Sequence, residues 1–195
     1  MWARAGLPLR ESMHSIGGPR MSQGECSKEV TTDRLFLRQF SREDLDAYGG
    51  IMGDYEVGKW FPKGQGYTRG EARKSLDNVM NHWVKNGFGI WAITDKVKRV
   101  LLGRCGLNLI AETSEVEVDF VIARSYWGRV YATEAAMAAL TYGFETLKLD
   151  RIIALAKPDN TASRRVIEKI GMRHVREDKY WGITCAYYEI TKPMV

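Results

Sequence analysis

Between residues 116 and 147 the hydrophobic period of the chain changes. In VEVDFVI, Val118, Phe120 and Ile122 fall on one face and Glu117, Asp119 and Val121 on the other, the alternation of a strand ending near Ala123. From residue 129 or 130 onward, Ala132, Ala136, Leu140, Gly143 and Leu147 recur at helical spacing and predict one buried face. Residues 124–128 form the turn between them, and Gly128 leaves room for a ligand to approach main chain. The first amides of a helix lack intrahelical partners and sit at the positive end of its dipole, so this turn suits a phosphate. Strand-turn-helix units are common, and the pattern by itself fits either a phosphate cradle or a plain connection.

The remaining pattern is read in chain order. Residues 34–39 alternate as a first strand, with Leu35 and Leu37 on one face. Ser41 and Asp44 have the spacing of a capping box, followed by Leu45, Tyr48, Ile51 and Met52 on a helix that ends amid Gly49, Gly50 and Gly53. A loop then holds Val57, Trp60, Phe61 and Pro62, which either pack over the core or wall a ligand site. Thr68 and Glu71 form a second capping box, opening a helix with Ala72, Leu76, Val79, Met80 and Trp83 on one side and a stop at Asn86-Gly87. Strands over 89–94 and 101–110 flank a hairpin turn at 95–99, and a loop over 111–115 leads to the central strand. After the central helix come a strand over 151–156, a helix opened by Asn160 with Val166, Ile167 and Ile170 inward and Gly171 as its cap, and strands over 174–180 and 184–191. The order β, αα, βββ, α, β, α, ββ is that of an α+β protein, neither doubly wound nor a barrel.

Composition narrows the classes. A chain of 195 residues suits one domain, expected over 31–195, with 45% hydrophobic and 27% charged residues as in ordinary globular proteins. The formal net charge of +5 is spread along the chain, which argues against nucleic acid as a partner and leaves a weak pull on anionic ligands. Cys26, Cys105 and Cys185 are odd in number and far apart, and they show no metal-ligand spacing with His14, His82 or His174; reduced thiols in a cytoplasmic protein and no metal are expected. No run reaches the roughly 18 apolar residues of a membrane span. Residues 1–30 are glycine-rich and aperiodic and are read as a disordered extension; Arg4, Arg10 and Arg20 suit a transit peptide, and Met21 suits an internal start.

Two strings carry a resemblance. WGRVYATEA, residues 127–135, resembles the acyl-coenzyme-A signature of the GNAT superfamily of N-acetyltransferases, and within it the WGKGYATEA form of the branch similar to ribosomal-protein N-terminal acetyltransferases. Val130 replaces the inner glycine; valine donates the same N–H in helical geometry but is badly placed at positive φ. NTASRRVIEKIGM, residues 160–172, resembles the later motif of the same superfamily, and the likeness spans residues 31–191. It implies a central mixed, mostly antiparallel sheet flanked by helices on both faces, acetyl-CoA as co-substrate, and a monomer or homodimer.

By the same resemblance, acetyl-CoA would lie along Phe120, Val121 and Ile122, along Trp127, Gly128, Arg129, Val130, Tyr131, Ala132 and Thr133, and along Asn160 and Ser163. Many members carry a tyrosine seven residues after the asparagine to protonate the leaving thiolate. That position is Ile167, so Ser163 takes the role, with Tyr180, Tyr187 or Tyr188 as substitutes. Glu117 matches the carboxylate of the superfamily's central strand and is the expected general base. Asp119 shares its face; like charges there would raise one pKa and attract a cationic amine, while the plainer reading is that Glu115, Glu117 and Asp119 form a solvated face. Trp60, Phe61 and Asp119 are the expected acceptor contacts. An α-amine, with a pKa of about 7.7–8.0, is roughly a tenth to a fifth neutral at pH 7, against about four parts in ten thousand for lysine. This favours a protein N-terminus as acceptor; a small amine of the polyamine, aminoglycoside or amino-acid kind and a catalytically silent acyl-CoA-binding module are the alternatives.

Overall fold

The computed structural model describes residues 28–192, so residues 1–27 of the extension expected over 1–30, and the last three residues, lie outside the described residues. One sheet of eight strands organises the domain: β1 (Val30–Thr31), β2 (Leu35–Arg38), β3 (Ile90–Asp95), β4 (Leu101–Ile110), β5 (Glu115–Ile122), β6 (Arg151–Ala156), β7 (Arg173–Tyr180) and β8 (Ile183–Thr191). Their spatial order is β1-β2-β3-β4-β5-β6-β8-β7. Every neighbouring pair is antiparallel except β5 and β6, which run parallel. The helices are α1 (Leu45–Gly53), α2 (Tyr55–Gly58), α3 (Arg69–Asn86), α4 (Tyr131–Thr141) and α5 (Thr161–Lys169).

Alternation along the strands builds a core on both faces. On β3, Trp91 and Ile93 join a cluster with Ala135, Ala136 and Ala139 of α4, while Ile90 and Ala92 join one with Tyr48 and Met52 of α1 and Leu76 and Val79 of α3. The three alanines are fully buried, and their small size seats α4 close against β4 and β5. On β6, Ile152, Ala154 and Ala156 face the first cluster, and Ile153 and Leu155 face a third beneath Tyr180 and Tyr187. The α3 boundaries follow from the sequence. Thr68 Oγ1 accepts from the Glu71 amide and Glu71 accepts from the Thr68 amide, and Gly87 closes the helix at φ 76°.

Several expectations are corrected. Val30, assigned to the extension, pairs with Leu37 in a strand of two residues, too short to show alternation. The loop holding Val57 contains α2, a single turn capped by Asp54, whose carboxylate accepts from the Glu56 amide at 2.7 Å. The Ser41–Asp44 box opens a short 3-10 turn (Arg42–Asp44) ahead of α1. The central helix starts at Tyr131, later than expected, and over Tyr142–Thr146 its winding loosens to a π-turn. That change buries the consecutive Tyr142, Gly143 and Phe144 and leaves Leu147 half-buried, off the stripe that a constant period projects.

Candidate active site

The parallel pair creates the site. β5 and β6 share the bridge Glu117↔Ile153 and then part, so their carboxyl ends, residues 120–122 and 155–157, line the two sides of a cavity of about 980 Å³. Beyond the bridge, the edge of β5 facing β6 carries main-chain groups that no ladder uses, apart from the Ile122 carbonyl, which accepts from the Trp127 indole at 2.7 Å.

That indole contact folds the chain back after β5, through a 3-10 turn (Arg124–Tyr126). Gly128 follows at φ 75°, and a β-carbon there would meet nothing within 4 Å. Val130, the N-cap of α4, lies at φ 66° and ψ 7°, the left-handed region that a β-branched residue adopts only under strain. Of the two geometries open to Val130 in the sequence, the chain takes the unfavourable one. What holds it is Glu134: its carboxylate accepts from the Thr32 hydroxyl at 2.6 Å, the Arg34 amide at 3.0 Å and Arg34 Nε at 2.7 Å, while Arg34 also donates to the Arg129 carbonyl. Among the described residues no acceptor meets the amides of residues 128–133, at the end of the cavity. Trp127, Gly128, Val130, Tyr131, Ala132 and Thr133 all line it. Arg129 does not; its guanidinium stacks over Tyr126 instead.

Across the cavity, α5 presents Asn160 and Ser163. Asn160 is buried and its side-chain oxygen accepts from the Ser163 amide at 3.1 Å, an N-cap that orients both residues toward the opening. Arg165 and Lys169 line the same wall and add positive charge. Ile167 points into the core at 1% exposure, so no side chain at that position reaches the cavity.

Glu117 lies deeper, only 7% exposed. Burial first, and then the Asp119 charge, raise its pKa well above the ordinary carboxylate range, while a hydrogen bond with Asn108 and the charge of Arg104 act in the opposite direction. Like-charge repulsion was the expected cause; desolvation is the larger one, because the carboxyl group sits inside the fold and not on a solvated face. Asp119 is not a free anion, since Arg104 donates to it at 2.7 Å across the β4–β5 ladder. Glu115, the third acid of the row, is closed off by hydrogen bonds from Tyr180 and Tyr187 at 2.7 Å each and an ion pair with Arg151. Tyr180 and Tyr187 are thereby spent as structural donors, with pKa values raised by burial and by Glu115. Tyr188 accepts from Arg164 and donates to Glu168. None of the three lines the cavity, which removes them as substitutes for Ser163.

At the far end Trp60 and Phe61 line the cavity, and Phe61 also packs in the α1–α3 cluster. Trp181, half-exposed at φ 50° on the β7–β8 turn, overhangs the same opening. Arg104, Asn108, Tyr67 and His82 also face it and were not anticipated. Arg104, Gly106 and Asn108 form a polar row at period two inside the apolar strand LLGRCGLNLI, a signal visible in sequence; what sequence does not show is that the row pairs with Val121, Asp119 and Glu117. Cys105 and Cys185 are buried free thiols, and Cys185 borders the cavity. Among the described residues no group of three or more acidic, histidine or cysteine side chains is placed to hold a metal, and no helix is long and apolar enough to cross a membrane.

A buried acid, unengaged helix amides and a gap between two parting parallel strands meet in one cavity. The model of the acetyltransferase (GNAT) domain matches residues 34–173, and the chain belongs to that family, whose members use acetyl-CoA. It is 32% identical to the uncharacterized protein YkkB of Bacillus subtilis strain 168, over 83% of this chain and 94% of that one. It is 31% identical to the uncharacterized N-acetyltransferase YnaD of the same organism, over 74% and 82%. A GNAT-family acetyltransferase from Bacillus anthracis superposes with a TM-score of 0.73 at 30% identity, covering 84% of this chain and 98% of that structure. The expected sheet, mostly antiparallel with helices on both faces, is the one observed.

Proposed function

We propose that the chain acetylates the α-amine of a protein N-terminus, by direct attack of the neutral amine on the thioester of acetyl-CoA, with Glu117 as base and Ser163 as acid. Bound acetyl-CoA supplies the activated acyl carbon. The amides of residues 128–133, with Arg165 and Lys169 nearby, offer donors and positive charge to its diphosphate. Gly128 leaves that approach open, which is the fit the turn offers. The unpaired edge of β5 at residues 120–122 offers amides to the carbonyl oxygen as negative charge develops there. Asn160 and Ser163 flank the path between the turn and Glu117. In the reaction a nitrogen–carbon bond forms and the carbon–sulfur bond breaks; the amine proton passes to Glu117, and the thiolate takes the Ser163 hydroxyl proton as that oxygen regains one from Glu117 through solvent.

Proton affinities favour this acceptor. Passing a proton from an α-ammonium to an ordinary glutamate costs about 5 kcal/mol, and from a lysine ammonium about 8 kcal/mol. Raising the proton affinity of Glu117 by burial closes the smaller gap first. The supporting observation is this one carboxyl group, buried in a cavity whose other end carries unengaged amides. Buried free thiols suit a reducing compartment, and we place the reaction in the cytoplasm.

Thermal melting with acetyl-CoA, followed by thiol release over a panel of N-terminal peptides and small amines with products identified by mass spectrometry, tests the reading. Ligand at a hundred times its dissociation constant adds about 2.7 kcal/mol of stability. No stabilisation refutes the cofactor site. Turnover of polyamines or aminoglycosides without turnover of any peptide transfers the acceptor to the small-amine class, and stabilisation without any turnover leaves a silent acyl-CoA-binding module.

A further inference from the structure

Arg104 lies on β4, two residues from the position opposite Asp119, and its guanidinium is held between two partners: Asp119 at 2.7 Å and the Tyr48 hydroxyl at 3.0 Å. Tyr48 in turn meets Ser75 Oγ of α3 at 2.8 Å. This chain therefore ties the helical layer to the acid row of β5. The arrangement is costly, because the Arg104 side chain is only 13% exposed and its buried Nε finds no hydrogen-bond partner. An ion pair kept only for stability would be better replaced by apolar packing.

We propose that Arg104 is a positioning residue of the acetyl-transfer site, which fixes Asp119 and through that ion pair sets how tightly Glu117 holds its proton. The inference rests on the reading of Glu117 as the base. Glu117 faces Asp119 on its own strand, Arg104 and Asn108 on β4 and Cys185 on β8; Tyr48, Tyr67 and His82 are the other titratable groups of the helical layer around the cavity, and Lys157 lies beyond β6. Among these, Asp119 and Arg104 carry the opposed charges nearest to it. With both in place the Arg104 charge offsets part of the Asp119 field on Glu117, and the carboxyl group responds chiefly to burial and to the incoming ammonium. With Arg104 alone removed, Asp119 becomes an unneutralised anion beside a carboxyl group that must ionise to act.

Carbon-13 NMR of the full chain labelled at the glutamate carboxyl reads the Glu117 titration directly, with E117Q identifying its resonance. D119N leaves Arg104 unopposed, and the proton dissociation constant of Glu117 rises about fifty-fold, the size expected of losing one charge about 7 Å away, two residues along a strand, at an effective dielectric constant of about 20. R104M/D119N, which buries no uncompensated charge, brings it back down by a similar factor, and R104K stays near wild type. Equal constants in D119N and R104M/D119N overturn the proposal. In a parallel series the acidic limb of kcat/KM moves with the NMR midpoint. If the midpoints move and the limb does not, Arg104 tunes Glu117 as proposed and Glu117 is not the base.

Discussion

Replacing Val130 by glycine should make the protein more stable, against the usual direction for glycine at a helix end. Valine holds φ 66° and ψ 7° at the N-cap of α4, and for an L-residue the left-handed region costs about 1–2 kcal/mol. Its side chain is 55% exposed, so little buried apolar area is lost on truncation. Against this, glycine loosens the unfolded chain by about 0.4–1 kcal/mol. The balance is a gain of about 1 kcal/mol, or about 2–4 °C in Tm for a domain of this size. Alanine separates the causes, because V130A removes β-branching but keeps a β-carbon at positive φ; it should recover a minor part of the gain. Acetyl-CoA titration of the same three proteins then measures crowding at the turn, with tighter binding expected for V130G, since Val130 lines the cavity beside the amides. Differential scanning calorimetry that found V130G less stable than wild type, or V130A equal to V130G, would refute the strain argument.

E117Q should lower turnover while leaving acetyl-CoA affinity nearly unchanged, read by steady-state kinetics and calorimetric titration. Its stability should also diverge from wild type with pH: the folded pKa of Glu117 lies above the ordinary 4.5, so wild type is progressively penalised as pH rises from about 4.5 through the folded value, and E117Q, without that penalty, gains relative stability over the same span in urea melts. His82 donates from Nδ1 to the Phe88 carbonyl and accepts the Leu109 amide at Nε2, and burial lowers its pKa below 6.5, so the folded state prefers the neutral ring and loses stability as pH falls below about 6.5. H82Q should cost about 1–3 kcal/mol at pH 8 and flatten the acid-side slope of the same melts. E134A removes the acceptor for Thr32 and Arg34 and should cost about 1–3 kcal/mol, with hydrogen exchange quickening at residues 32–35; Glu134 has a lowered pKa, so the difference should fade as pH drops through 4.5 and below.

Much of this fold was legible in the sequence because its signals are local. The Thr68–Glu71 box, Gly87, Asn160 and Gly171 mark helix ends by chemistry that acts over three or four residues, and the ends fall where those residues stand. The alternation of residues 116–122 likewise placed Glu117 and Asp119 on one face. What the sequence withheld depends on partners distant along the chain. Glu117 is buried by residues of β4 and β8, and Asp119 is neutralised by a cation fifteen positions upstream, which only the β4–β5 register reveals. The positive φ of Val130 has the same origin: Glu134 is fastened to Arg34, some hundred residues earlier, and the turn bends to meet it. The tyrosines failed as substitutes for a similar reason, because period two puts Tyr180 and Tyr187 on strands without saying that Glu115 claims both hydroxyls.

The single rung at Glu117↔Ile153 has a mechanical consequence. It leaves the sheet as two leaves joined along a short seam, with β1 to β5 on one side and β6 to β8 on the other. A molecule wedged into the opening touches both leaves at once and braces them where the ladder does not. Occupancy should therefore slow amide exchange in β6 and β8 as well as at the turn proposed to receive the diphosphate, so that a bound co-substrate would finish the architecture it enters.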